Sequence, residues 1–144
     1  KEMEEKYKIP VMVCDSVEEA VKGAEIICTV TPSKEPYLKA EWITPGAHIN
    51  AVGAFTPNTR EIESSLMAKA KLYADQVEAM KKECGEYLIP KNEGLFGEEH
   101  ITGSIGGILA GQVPGRENDT EITLFDALGL AVEDVACGRF LCRE

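Results

Sequence analysis

The chain has no Cys-x-x-Cys pair, no long apolar run and no excess of basic residues. Its five cysteines, Cys14, Cys28, Cys84, Cys137 and Cys142, are odd in number and scattered in spacing. That pattern argues against zinc and against a thioredoxin-like redox site. It fits reduced thiols in a cytoplasmic protein. Cys14 and Cys28 fall in apolar runs, where a free cysteine behaves as a small hydrophobe. No run of about 18 apolar residues is present, so no transmembrane helix and no membrane partner are expected. The opening Lys1-Glu2-Met3-Glu4-Glu5-Lys6 is polar and acidic, unlike a secretory leader. Fifteen Lys and Arg against 25 Asp and Glu give a net charge of −10, the wrong sign for a nucleic-acid partner. Internal repeats, low-complexity stretches and domain linkers are also missing.

What remains is an ordinary globular composition, 44% hydrophobic and 28% charged over 144 residues, enough for one domain with its own core. The first residues read as the last turns of a helix with no initiator methionine, which suggests a piece of a longer chain. Residues 1–8 are that helix tail and Val11-Met12-Val13-Cys14 a short strand. A cap at Asp15 or Ser16 opens a helix whose Val17, Ala20, Val21 and Ala24 share one face. Glu25 to Thr31 is a strand apolar on both faces, as in a parallel strand covered from both sides. Ala47 to Val52 is a second buried strand, entered from the Pro45-Gly46 turn. Arg60 to Ala70 reads as helix and Leu72 to Asp75 as strand. Gln76 to Cys84 reads as helix, with Gly85 as its C-terminal cap. Residues 86–100 show no single pattern. Ile101 to Gly111 is glycine-rich with helical spacing, Glu121 to Phe125 is the last strand, and Leu130 to Cys142 the last helix. Alternating strands and helices define an α/β fold with a mostly parallel sheet flanked by helices. In such sheets ligands bind outside the carboxyl ends of the strands, which directs attention to Val52 through Thr59.

Pro45-Gly46-Ala47-His48-Ile49-Asn50-Ala51-Val52-Gly53-Ala54 resembles the ornithine cyclodeaminase/mu-crystallin family. So do Asp15 to Val21, Ala24 to Thr31, Glu41-Trp42, the Pro57…Arg60-Glu61-Ile62 spacing, Glu121 to Phe125 and Gly129 to Asp134. The resemblance runs along nearly the whole chain. It implies a Rossmann-like domain missing its first βα units, with residues 1–144 forming the later part of an NAD(P)-binding domain in a longer two-domain chain. It further implies a homodimer, NAD or NADP as cofactor, and a small amino acid or imine as substrate. The pyrophosphate-binding glycine loop would precede residue 1. Gly103-Ser104-Ile105-Gly106-Gly107 has glycines but lacks the preceding strand such a loop needs.

The resemblance places Thr29, Thr31, Val52, Gly53 and Ala127 against the cofactor, and Glu83 toward the substrate. Each has a plainer reading: threonine is common in strands, glycine eases a strand exit, and a glutamate in Lys81-Lys82-Glu83 is ordinarily solvated. Ala127 stands where relatives often carry serine, which removes a hydrogen bond worth about 0.5–1.5 kcal/mol. Phe55 is the most informative departure. In Gly53-Ala54-Phe55-Thr56-Pro57 it occupies the place of the cyclodeaminase acid/base aspartate, and phenylalanine moves no proton. The cyclodeaminase lysine two residues after that proline is replaced by Thr59. The resemblance therefore favours an imine reductase or an amino-acid dehydrogenase over a cyclodeaminase lyase, with a non-catalytic ligand-binding protein as the alternative. His48 reads as a satisfied core histidine, His100 has no evident partner, and Asp119 and Glu121 read as surface acids. Gly107, costing about 0.8–1.0 kcal/mol in a helix relative to alanine, suggests close packing against another segment.

Overall fold

The last strand of the chain lies at the centre of its sheet. In the computed structural model, which describes residues 2–143, five strands run parallel: β1 (Ile26–Thr29), β2 (His48–Ala51), β3 (Lys71–Ala74), β4 (Ile101–Ser104) and β5 (Thr123–Asp126). Their order is β1-β2-β5-β3-β4, so β5 pairs with β2 on one side and β3 on the other. The α-helices are α1 (Glu2–Tyr7), α2 (Val17–Val21), α3 (Ser64–Lys69), α4 (Val77–Glu83), α5 (Gly85–Asn92), α6 (Ile105–Leu109) and α7 (Ala131–Leu141). This is the Rossmann-like α/β arrangement expected from the sequence. The helix tail at the start is α1, with Lys1 outside the described residues. Ser16 caps α2, its hydroxyl accepting from the Glu19 N–H at 3.1 Å, and Gly23 ends that segment at φ +74°.

One face of the sheet carries the core. Ile27, Ile49, Ala51, Leu72, Ala74 and Leu124 point toward Val21 of α2, Leu66 and Met67 of α3, Met80 of α4 and Tyr87 of α5. The other face is partly open, which corrects the expectation of two-sided burial: Ile26 is 68% exposed and Cys28 is also exposed. Helices α2 to α5 lie on the core side, and Ile26 and Cys28 leave the outer side of β1 open among the described residues. Helix α7 keeps its Val132, Val135 and Phe140 stripe exposed.

Three further expectations are corrected. Val11 to Cys14 forms no strand; Val13 is 92% exposed, and among the described residues no strand pairs with it to supply ladder partners. Arg60 to Glu63 is extended rather than helical. The Glu61 carbonyl accepts the N–H groups of Tyr37 and Leu38, and Leu38 bridges Ile62 in parallel. Gly85 opens α5 instead of capping α4. A Cβ there would lie 2.2 Å from the Thr59 carbonyl oxygen, so only glycine lets α5 start against that loop. Pro90 inside α5 forfeits one helical bond, while the burial of Glu86 and Tyr87 holds the helix in place.

Candidate functional site

Strands β1, β2 and β5 end level with one another: Thr29 is in register with Ala51, and Ala51 with Asp126. The segments leaving them bring Thr31, Val52, Gly53 and Ala127 to one carboxyl edge. Ala127 donates its N–H to the Ala51 carbonyl at 2.9 Å, and Val52 donates to Thr29 at 3.0 Å. Beside Thr31 a cleft of about 450 Å³ is lined by Val17, Thr31, Pro32, Ser33 and Tyr37. Thr29 sits apart from this surface. It is buried, and its hydroxyl has no partner among the described residues. Glu83 is exposed at the end of α4, and its carboxylate bonds nothing among the described residues.

The residue that orders this edge is Glu61, fully buried before α3. Its carboxylate accepts the N–H of Thr31 at 2.6 Å, the N–H of Gly53 at 3.1 Å and the hydroxyl of Tyr37 at 2.8 Å. One side chain thus ties the segment after β1 to the segment after β2. Burial raises its pKa, but the hydrogen bonds it accepts outweigh burial and hold it below the usual glutamate value. Burial first, and then the neighbouring Glu61, push the Tyr37 phenol to about 12, so it remains a donor. Gly53 is required here because two neighbouring segments approach it closely. A Cβ would meet the Thr31 carbonyl oxygen at 2.2 Å and the Glu61 carboxyl carbon at 2.6 Å. The glycine admits the clamp.

Glu61 is itself held by a second buried acid. The Glu86 carboxyl group accepts the backbone N–H of Glu61 and, at 3.2 Å, that of Ile62. Burial, reinforced by Asp126 and Glu61, raises Glu86 to about 8. Asp75 accepts the N–H of Gln76 at 2.6 Å and of Gly129 at 2.7 Å, fixing the turn after β5. Gly129 takes φ +89° in that turn. Sequence reasoning missed Glu61, Glu86, Asp75 and Asp126 as organising groups. The only available signal was Glu61 in the quoted family spacing.

The loop after β2 folds on itself. The Thr56 and Thr59 hydroxyls lie 2.9 Å apart, and the Thr59 N–H donates to the Thr56 carbonyl at 3.2 Å. The Thr56 carbonyl also accepts the Gly85 N–H at 3.1 Å. From this turn Phe55 projects with 63% of its surface exposed. Both histidines have structural partners. His48 Nδ1 lies 2.8 Å from the Thr123 hydroxyl; His100 Nε2 lies 2.7 Å from the Met67 carbonyl, and its ring stacks on Phe96 at 4.2 Å. Glu121 joins a surface cluster with Glu117, Asn118 and Lys71, and Asp119 is exposed on the same loop. The glycine-rich stretch begins inside β4, with Gly103 and Ser104 in the strand and Ile105 to Gly107 in α6. Its glycines serve packing: a Cβ on Gly103 or Gly107 would meet the Val113 side chain at 2.8 Å.

A crevice at the carboxyl ends of parallel strands, entered by a glycine turn, is where proteins of Rossmann type bind nucleotide cofactors. Residues 1–143 match the ornithine cyclodeaminase/mu-crystallin family model, and the chain belongs to that family. It is 42% identical over 121 residues to an alanine dehydrogenase of Archaeoglobus fulgidus, covering 84% of this chain and 37% of that protein. It is 44% identical over 131 residues to the ketimine reductase mu-crystallin of Mus musculus, covering 91% and 39%. Among solved structures, Thermococcus litoralis Δ1-pyrroline-2-carboxylate reductase in complex with NADH and L-proline superposes with a TM-score of 0.92 at 39% identity, covering 96% of this chain and 43% of that one. The chain therefore spans well under half the length of these relatives.

Proposed function

We propose that these residues are the later part of the nicotinamide-binding domain of a two-domain, homodimeric, cytoplasmic oxidoreductase. Its reaction is reduction of a small imine or oxidative deamination of an amino acid, with NAD or NADP as cofactor. The reading takes support from relatives described as ketimine reductase, pyrroline-2-carboxylate reductase and alanine dehydrogenase, two of whose structures contain NADH or NAD.

The residues present fit such a cofactor. Thr31 is exposed beside an apolar cleft, its hydroxyl held between Tyr37 and the Ser33 N–H, and Val52, 46% exposed, offers an apolar wall at the end of β2. Thr31, Val52, Gly53 and the backbone at Ala127 would hold the nicotinamide half, whose bound ring supplies or accepts hydride. Thr29 would serve from beneath, as part of the strand end, and Glu83 would reach substrate only from the rim.

Phe55 carries the choice of reaction. It projects from the loop after β2, at the position the resemblance gives to the cyclodeaminase aspartate, and the Thr59 hydroxyl is turned back onto Thr56. Neither position offers the acid and amine that ring closure with ammonia loss requires. The test is made on the full polypeptide. NADH and NADPH oxidation is followed with cyclic ketimines, and NAD⁺ reduction with alanine and ornithine. Turnover on an imine or on oxidative deamination supports the reading. Rapid proline formation from ornithine overturns it, and tight cofactor binding without any turnover moves the protein to a ligand-binding role.

A further inference from the structure

We propose that Glu61 is the positioning residue for the nicotinamide cofactor, acting through the backbone of Thr31 and Gly53; the proposal rests on the cofactor reading above. The geometry is specific. Glu61 touches none of the exposed surface, yet it bonds the two segments that form the crevice floor, with Thr31 on one side and Gly53 on the other. No Lys or Arg forms an ion pair with it among the described residues. A buried carboxylate without a cation is costly unless hydrogen bonds satisfy it. Here the two strand-end N–H groups and the Tyr37 hydroxyl supply them.

The arrangement does two things. It fixes the spacing between the ends of β1 and β2, because the carboxylate oxygens are shared between them. It also polarises two peptide units. An N–H that donates to a carboxylate makes the carbonyl of the same peptide a stronger acceptor. The peptides concerned end in the carbonyls of Val30 and Val52, and neither carbonyl accepts a backbone hydrogen bond among the described residues. Two strengthened, unpartnered acceptors at the crevice suit a ligand that brings amide donors, as a nicotinamide carboxamide does. Gly53 and Glu86 complete the device. The first has no Cβ to block the approach of Thr31, and the second grips the Glu61 backbone from below.

Glu61→Gln tests this in the full polypeptide. The side chain keeps its size, but one of its two acceptor oxygens becomes a donor facing a donor. Amide hydrogen exchange is measured first, without cofactor. Thr31 and Gly53 are expected to exchange at least ~30-fold faster in the variant while core amides such as Leu124 stay protected. Titration of intrinsic NADH fluorescence then reads affinity. The expected result is a Kd, and a KM for NADH, raised tenfold or more, with the KM for imine changed less than about twofold. A merely structural role would lower the melting temperature and leave the folded fraction's NADH affinity intact. Tyr37→Phe, which removes one of the three bonds and leaves both strand-end amides in place, provides the readout if Glu61→Gln does not fold; a two- to fivefold weakening is expected. Unchanged exchange at Thr31 and Gly53 overturns the clamp. Faster exchange with unchanged NADH affinity overturns the positioning role. Failure of the wild-type polypeptide to bind NADH or NADPH overturns the cofactor reading itself, and the proposal with it, whatever the exchange data show.

Discussion

Cys84 and Asp126 meet beneath the sheet, the thiol Sγ lying 3.3 Å from Asp126 Oδ2, while Asp126 Oδ1 has no partner among the described residues. A fully buried carboxyl with one bare oxygen is most stable holding a proton. Burial raises Asp126 to about 7 and Glu86 to about 8, and burial, with the charge of Asp126, raises the Cys84 thiol well above its ordinary value. Both carboxyls therefore keep protons in the folded protein that the unfolded chain has already released. The stability they contribute is complete below about pH 4, near their unfolded values, and is lost as pH rises through about 7 and 8. Thermal unfolding from about pH 5 to 8 should show a falling melting temperature. Asp126→Asn, which cannot ionise, should remove one proton's share of that slope, about 1.4 kcal/mol per pH unit inside the window.

Gly53→Ala should destabilise the protein by about 1–3 kcal/mol, because the added methyl meets backbone atoms of Thr31 that have nowhere to move. Urea denaturation reads the loss. A variant as stable as wild type would show that the β1 and β2 ends do not lie this close.

Gly107→Ala gives a test by sign. In an unobstructed helix alanine gains up to about 1 kcal/mol over glycine. Here the methyl meets Val113 at 2.8 Å, so the single substitution should destabilise. In a Val113→Ala background the same change should become neutral or stabilising. A double-mutant cycle of denaturation midpoints should return a coupling of about 0.5–3 kcal/mol.

His100→Ala should cost about 1–3 kcal/mol, from the bond to the Met67 carbonyl and the stack on Phe96. It should leave kcat and KM of the full polypeptide unchanged within about twofold. A large fall in kcat with intact stability would place His100 in the chemistry instead.

Four of the five strands were legible because their sequences alternate or run apolar between turn residues. β4 was not, because Ile101-Thr102-Gly103-Ser104 carries a glycine whose purpose, room for Val113, lies ten residues away. Val11 to Cys14 has strand composition, but composition supplies no neighbour. Helix α5 was hidden by Gly85 and Pro90, which act as punctuation in a sequence and here as close-packing and near-terminal residues. At the candidate site, Thr31, Val52, Gly53 and Ala127 followed from strand ends and family likeness. Glu61 and Glu86 did not stand out, since a glutamate's default place is in water. Only three-dimensional structure shows backbone donors converging on them.

The central position of β5 has a consequence for how the chain is made. Strands β1 and β2 pair with each other, as do β3 and β4, but the pairs share no edge until Thr123–Asp126 arrives between them. In synthesis at roughly 5–20 residues per second, the segments of both pairs are made before the strand that joins them. Until that moment the inner edges of β2 and β3 stand open to pairing with any other extended chain. Truncation before Thr123 should therefore yield aggregates rather than a smaller folded protein.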